Sequence, residues 1–159
     1  MPVTLLKTPF NAAEVLQEFT KEASGAGAIV SFTGLVRATS TAGERITELH
    51  LQAYPPLTET SIERAVQKAQ TLWTLDAVTV LHRIGDMVPD EAIVFVAAAA
   101  KHRRDAFEGV DYLMDYLKTE AIFWKKEAYA DGAAWIEPRG QDYTDKARWA
   151  HTSSKLELS

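Results

Sequence analysis

The sequence predicts an α+β fold, a mixed and largely antiparallel sheet with helices packed on it. Three observations point there. β-rich runs come in adjacent pairs, 28–32 with 46–54, 77–84 with 92–100 and 122–129 with 133–137; strands that follow one another without a crossover helix pair antiparallel. Between the pairs, apolar residues recur at helical spacing. No Gly-rich phosphate loop follows any strand, which argues against the doubly wound nucleotide-binding folds. With 159 residues, 47% hydrophobic and 25% charged, and without a repeat or linker, residues 1–150 read as one domain with a real core. Residues 151–159 read as a polar, flexible C-terminal tail.

Asn11-Ala12-Ala13-Glu14 has the spacing of a capping box and opens a short helix that stops near Gly25. The strand at 28–32 runs on toward Gly34-Leu35-Val36-Arg37. A polar loop at 39–45 contains Gly43, and the strand at 46–54 ends at Pro55-Pro56. Thr60 and Glu63 predict a second capping box, before a helix that buries Ile62, Ala65, Val66, Ala69, Leu72 and Trp73. The runs at 77–84 and 92–100 are joined by a turn-rich connector at 85–90. The second run reads either as strand buried inside the monomer or as apolar material for an interface between copies. A helix from Asp105 to about Lys118 is expected to bury Ala106, Phe107, Val110, Leu113, Met114 and Leu117. The last two runs form a hairpin through Asp131-Gly132.

Composition excludes several chemistries. There is no cysteine, so disulfides, thiolate metal sites and a cysteine nucleophile are ruled out. The histidines at 50, 82, 102 and 151 show no metal-ligand spacing, so no metal and no cofactor is expected. The net charge of -5 argues against a general nucleic-acid binder. No apolar run approaches the roughly 18 residues of a membrane span, and Met1-Pro2-Val3-Thr4 lacks the plan of a secretory signal. A cytoplasmic protein is expected.

Against this acidic background stand three basic clusters: Arg37, Lys101-His102-Arg103-Arg104, and Lys118 with Trp124-Lys125-Lys126-Glu127. The second opens a helix, where unpaired N–H groups favour an anion that His102 and Arg103 would contact; it reads equally as solvated charge offset by Asp105 and Glu108. Lys118 closes the same helix, where a cation is favourable for dipole reasons alone. Lys125 and Lys126 alternate faces of an extended segment, so one turns inward. An inward lysine among cations and aromatic residues has a depressed pKa and is suited to proton transfer.

Gly34-Leu35-Val36-Arg37, His82-Arg83-Ile84-Gly85, His102-Arg103, Met114-Asp115-Tyr116-Leu117-Lys118 and Trp124-Lys125-Lys126-Glu127 stand in one order. In that order and spacing the chain resembles the molybdopterin synthase large-subunit family from about Gly27 to Trp149. The resemblance implies an α/β hammerhead-like fold and a sulfur transferase. That enzyme moves two sulfurs from the C-terminal Gly-Gly thiocarboxylate of a small ubiquitin-like partner onto cyclic pyranopterin monophosphate. It also implies a homodimer of this chain that becomes a heterotetramer with the small subunit. Lys118 and Lys125 match the catalytic lysines; Arg37, His102 and Arg103 match the phosphate-binding residues, with Lys126 and Glu127 nearby. Arg139 matches an arginine that reaches a neighbouring subunit's pocket. Two positions depart from the pattern: Gln52 stands where glutamate is usual, and Ile122 where a proline is common. Two other readings of the same clusters are an anion-binding scaffold and a hydrolase of a cyclic phosphate ester.

Overall fold

In the computed structural model, which describes residues 2–150, the elements run β1 (Val3–Leu6), α1 (Ala12–Glu22), β2 (Ala28–Leu35), β3 (Ile46–Ala53), α2 (Leu57–Leu72), β4 (Ala77–Arg83), β5 (Gly85–Met87), β6 (Ala92–Ala100), α3 (Arg103–Thr119), β7 (Phe123–Tyr129), β8 (Gly132–Ile136) and α4 (Gly140–Ala147). The α+β class is as expected, but the strands form two four-stranded sheets, β1-β4-β6-β2 and β5-β3-β7-β8. Every pairing is antiparallel except β1 with β4. The tail at 151–159 lies outside the described residues.

The first sheet carries the main core. Its central strand β6 is covered on both faces, and Val94 through Ala100 are all buried. Val94, Val96 and Ala98 pack with β4 against Ile62, Ala65, Val66 and Ala69 of α2 and Val110, Leu113 and Leu117 of α3. Phe95, Ala97 and Ala99 face Phe19 and Ala23. The four alanines let helices approach from both sides, so this run is interior and not interface. Leu113 is fully buried, and emptying such a site costs about 2–5 kcal/mol.

Local chemistry explains most element ends. The Asn11 side chain accepts from the amides of Ala13 (2.9 Å) and Glu14 (3.4 Å) and caps α1. The capping box expected at Thr60 does not form. α2 starts earlier, at Leu57, and the Thr60 hydroxyl donates to the Pro56 carbonyl one turn back. Thr58, fully buried, accepts from the Tyr54 amide (2.8 Å) and donates to the Ile122 carbonyl (2.6 Å), tying the α2 corner to the start of β7. Phe107, expected in the core, is 56% exposed. It lies about 100° around the helix from Ala106 and turns toward the flank beside β2.

Three elements had no sequence signal strong enough to read: β1 is four residues, β5 is three, and α4 is eight residues with no buried side chain. β5 lies inside the expected connector and pairs with β3.

α3 leaves the C-terminal end of β6 and runs back along it, parallel to β2, against which it packs. His102 and Arg103 therefore sit near the start of β2, and Lys118 near its end. At the first junction the Gly27 amide donates to the Ala100 carbonyl (3.0 Å), and a Cβ on Gly27 would collide with the Lys101 carbonyl. Gly27→Ala is expected to cost about 1–3 kcal/mol through overpacking, read as a lower urea midpoint with unchanged slope; unchanged stability would show that this junction yields freely.

Candidate functional site

The second sheet has two unlike faces. Lys125 and Glu127 of β7 alternate with Trp124 and Lys126, and lie opposite the buried Leu51 and Leu49 of β3. Lys125 is thus the one of the two adjacent lysines that faces inward, a choice the alternation alone left open. Lys126 faces outward, its amine 5.5 Å from the centre of the Trp135 ring, and Trp135 meets Trp124 edge-on. Lys126 is thereby separated from the Lys125 face. Gln52 pairs across from Trp124 on that same outer face, so its departure from the family pattern does not touch the inner one. Glu127 is buried and accepts the Tyr129 hydroxyl at 3.3 Å.

On the inner side the last turn of α3 brings in Lys118, the segment after β2 brings Arg37, and the turn before α4 brings Arg139. Lys118 is pulled below the ordinary lysine value by burial, with Asp142 acting against the shift and Arg37 and Arg139 adding to it. Lys125 is lowered by burial, then by Lys118, with Glu127 opposing. Lys118 is exposed and Lys125 half-buried, so the group is open to solvent on one side. Four cations, Arg37, Lys118, Lys125 and Arg139, thus share one cleft with two carboxylates, Asp142 and Glu127. An arrangement of this kind favours an anion and makes a lysine proton easier to give up than in a free lysine.

His102 and Arg103 are not in this cleft. His102 is the exposed N-cap of α3 and its side chain makes no capping bond. Arg103 opens the helix, about 22 Å from Lys118 at 1.5 Å per residue. Arg139 lies beside the Lys118 of its own chain.

Two neighbours of Lys118 escaped the sequence reading. His82, expected to be structural as the end of a strand, is buried and stacks on Phe123 at 4.2 Å. Its Nδ1–H donates to the Arg83 carbonyl (2.8 Å), which fixes the tautomer. The other is Asp142. It accepts from the Arg139 amide (2.9 Å) and guanidinium (3.4 Å), and the Arg-x-x-Asp spacing was the only signal for it.

Burial, opposed by the Arg83 hydrogen bond and aided by Lys118, lowers His82 to about 4. The unfolded chain then takes up this proton near 6.5 while the folded chain resists it. Stability is therefore full above that pH and declines as pH falls toward 4, by about 1.4 kcal/mol per unit. Urea titrations of wild type and His82→Gln at pH 7 and pH 5 should differ by a gap that moves about 2 kcal/mol against the wild type at the lower pH. A constant gap would mean that the ring protonates freely in the folded protein.

The MoaE protein family model matches residues 5–120. The molybdopterin synthase catalytic subunit of Caulobacter vibrioides is 47% identical over 149 residues, 94% of this chain and 97% of its own length. Among solved structures, the molybdopterin biosynthesis MoaE protein from Burkholderia ambifaria superposes with a TM-score of 0.78 at 35% identity, covering 92% of this chain and 96% of that one. The complex of subunits 1 and 2 of molybdopterin-converting factor from Helicobacter pylori shares the fold, with a TM-score of 0.74 at 22% identity over 87% of this chain and 92% of that one. The inward lysine pair, the convergent arginines and these matches lead to one conclusion: the chain belongs to the MoaE protein family, that of the molybdopterin synthase catalytic subunits.

Proposed function

We propose that this chain, acting through residues 1–150 as one domain in the cytoplasm, catalyses sulfur transfer from the C-terminal Gly-Gly thiocarboxylate of a small ubiquitin-like subunit to cyclic pyranopterin monophosphate. The observation that carries the reading is the cleft itself: two lysines held below their ordinary pKa, with Arg37 and Arg139, in a chain that has no cysteine. Such a chain needs its sulfur delivered, and both the thiocarboxylate and the phosphate are anions suited to a cationic cleft. A thiocarboxylate sulfur is already nucleophilic, so the protein's part is position and charge stabilisation. Lys118 and Lys125 stabilise developing negative charge and pass protons to departing oxygen. Water then cleaves the acyl link to the partner's tail, and the cycle repeats for the second sulfur. Glu127, buried on the same face as Lys125, orients the cations, while Lys126 contributes from the outer face at the rim.

His102 and Arg103 join the cleft in this reading from a second copy. Among the described residues β2 pairs only with β6, leaving its other edge unpaired there. Beside that edge Phe32, Leu35 and Phe107 are exposed. Ala28 and Leu35 lie about 23 Å apart along the strand, nearly the Arg103-to-Lys118 distance. Two β2 edges paired antiparallel about a twofold axis would set the start of each strand, with its His102 and Arg103, against the end of the other, with its Arg37 and Lys118. The homodimer then has two shared sites, with a small subunit at each to make the heterotetramer.

Lys118→Ala and Lys125→Ala should each lower product formation by about 10²-fold or more with unchanged circular dichroism, whereas exposed Lys68→Ala is silent; near-normal turnover in both cleft variants would sink the assignment. Product that forms without the partner would favour the hydrolase reading, and binding without turnover the scaffold.

Arg103→Ala should weaken precursor binding by tens of fold, the loss of a charged hydrogen bond of about 1.5–3 kcal/mol, and leave binding of the partner intact. Mixing Arg103→Ala chains with Lys118→Ala chains should restore about a quarter of wild-type activity, since half the dimers are mixed and each has one intact site. Verified mixed dimers without recovery would overturn the shared site.

A further inference from the structure

The two cleft lysines are joined by a short stretch of chain. Lys118 lies in the last turn of α3 and Lys125 is the third residue of β7, so only Glu120, Ala121 and Ile122 separate the two elements. Whatever sets the course of these three residues sets one lysine against the other. The bonds within the stretch are local. The Glu120 and Ala121 amides donate to the Tyr116 carbonyl (2.7 and 3.2 Å), and the Phe123 amide to the Ala121 carbonyl (3.0 Å). They finish the last turn of α3 and do not fix how the chain enters the sheet.

Thr58 fixes that, from a distant part of the fold. β7 enters the sheet beside β3, with Gln52 opposite Trp124 and Ala53 opposite Phe123. One step further the same register sets Tyr54 opposite Ile122, and a continuing ladder would join the Tyr54 amide to the Ile122 carbonyl directly. Instead the Thr58 hydroxyl stands between them. A hydroxyl has one proton to donate; Thr58 Oγ1 gives it to the Ile122 carbonyl (2.6 Å) and accepts from the Tyr54 amide (2.8 Å). The residue is fully buried and its backbone is held in turn, the amide donating to the Tyr54 carbonyl (3.1 Å) and the carbonyl accepting the Ser61 hydroxyl (2.7 Å). The two strands are thus kept one hydroxyl apart where the chain comes in from α3. Among the described residues, Thr58 makes the one hydrogen bond that reaches the backbone of 120–122 from outside α3 and the adjoining Phe123. Phe123 itself is fixed by the His82 ring stacked on it at 4.2 Å.

We propose that Thr58 is a positioning residue for the lysine pair: its hydroxyl, a spacer in the last rung between β3 and β7, sets the angle at which the connector meets the sheet and so the separation of Lys118 from Lys125. It acts through the backbone of Ile122 and not by touching substrate. Two lysines that serve one reacting centre must meet it together, and a shift of about 1 Å at such a centre costs on the order of 10²-fold in rate. This kinetic consequence rests on the sulfur-transfer reading; the spacing itself does not.

The test compares Thr58→Val, which keeps the branched shape and removes the hydroxyl, with Thr58→Ser, which keeps the hydroxyl. Full-length chains are assayed with cyclic pyranopterin monophosphate and the thiocarboxylated small subunit, and the amide shifts of 119–125 are read by NMR in 15N-labelled chain. In Thr58→Val the Tyr54 amide and the Ile122 carbonyl must close on each other or take up water, and kcat should fall roughly 10- to 100-fold. KM for the precursor should hold, because a group that only aligns the reacting residues acts on the transition state and not on ground-state binding. The amide shifts of 119–125 should move in the same variant, and Thr58→Ser should restore both kcat and the shifts. Thr58→Ala takes the place of Thr58→Val if the valine chain lacks the wild-type circular dichroism spectrum. A folded variant with a lower urea midpoint but wild-type kcat would make Thr58 a clasp of the fold alone and overturn the proposal, as would a Thr58→Ser chain no better than Thr58→Val. A wild-type chain that does not turn over would refute the sulfur-transfer reading. The spacing is then judged by the amide shifts, and shifts that stay in place in Thr58→Val overturn it too.

Discussion

The strand β6 is the constraint on which the rest of the molecule depends. A strand covered on both faces has no polar side available to solvent, so its residues must be apolar, and those facing nearby helices must be small. Ala97 to Ala100 meet that demand, with helix α1 on one side and α2 and α3 on the other. Once β6 is central, α3 has one course open to it, back along the sheet from the strand's end. That course sets Lys118 against the end of β2 and Arg37. The lysine's position follows from core packing more than from any interaction of its own.

The cleft shows the opposite economy. Four cations converge where burial disfavours charge, and nothing in the hydrophobic core compensates them. Burial first and the neighbouring cations second lower both lysines below their ordinary pKa, while Asp142 and Glu127 offset part of the shift. A net-positive cleft in a chain of charge -5 is electrostatically incomplete, and an anion completes it. The field of such a cleft makes the lysine protons easier to give up.

The approach to the cleft is held by less robust means. Arg83 is buried at the end of β4; it donates from Nη2 to the Asp86 carbonyl (3.1 Å) and stands 3.6 Å from Glu91, while its Nε and Nη1 find no hydrogen-bond partner among the described residues. Glu91 in turn accepts the Val88 amide with its side chain and the Val36 amide with its backbone. Arg37 follows directly. A buried guanidinium thus braces the connector at 86–91, whose Glu91 carbonyl holds the Val36 amide next to Arg37.

By itself the sequence determined the α+β class, nine of the elements to within about three residues at their ends, the inward turn of one of the two adjacent lysines and the identity of the basic residues. These rest on local physics: period-2 and period-3.6 patterning, the Asn11 cap, and the alternation of β7. Short or polar elements were not legible, because β1, β5 and α4 exist only through their neighbours: β1 through parallel pairing with β4, β5 through β3, and α4 through ion pairs to α3. Tertiary structure alone decided which basic residues share a cleft. His102 and Lys118 lie on one helix, and sequence spacing gives no reason to separate them, yet a straight helix of seventeen residues holds its ends far apart. Lys126 adjoins Lys125 in sequence and is divided from it by the thickness of a sheet. The docking of the α4 end on α3, through Arg148 to Asp111 and Asp115, is likewise a long-range contact that no local pattern encodes.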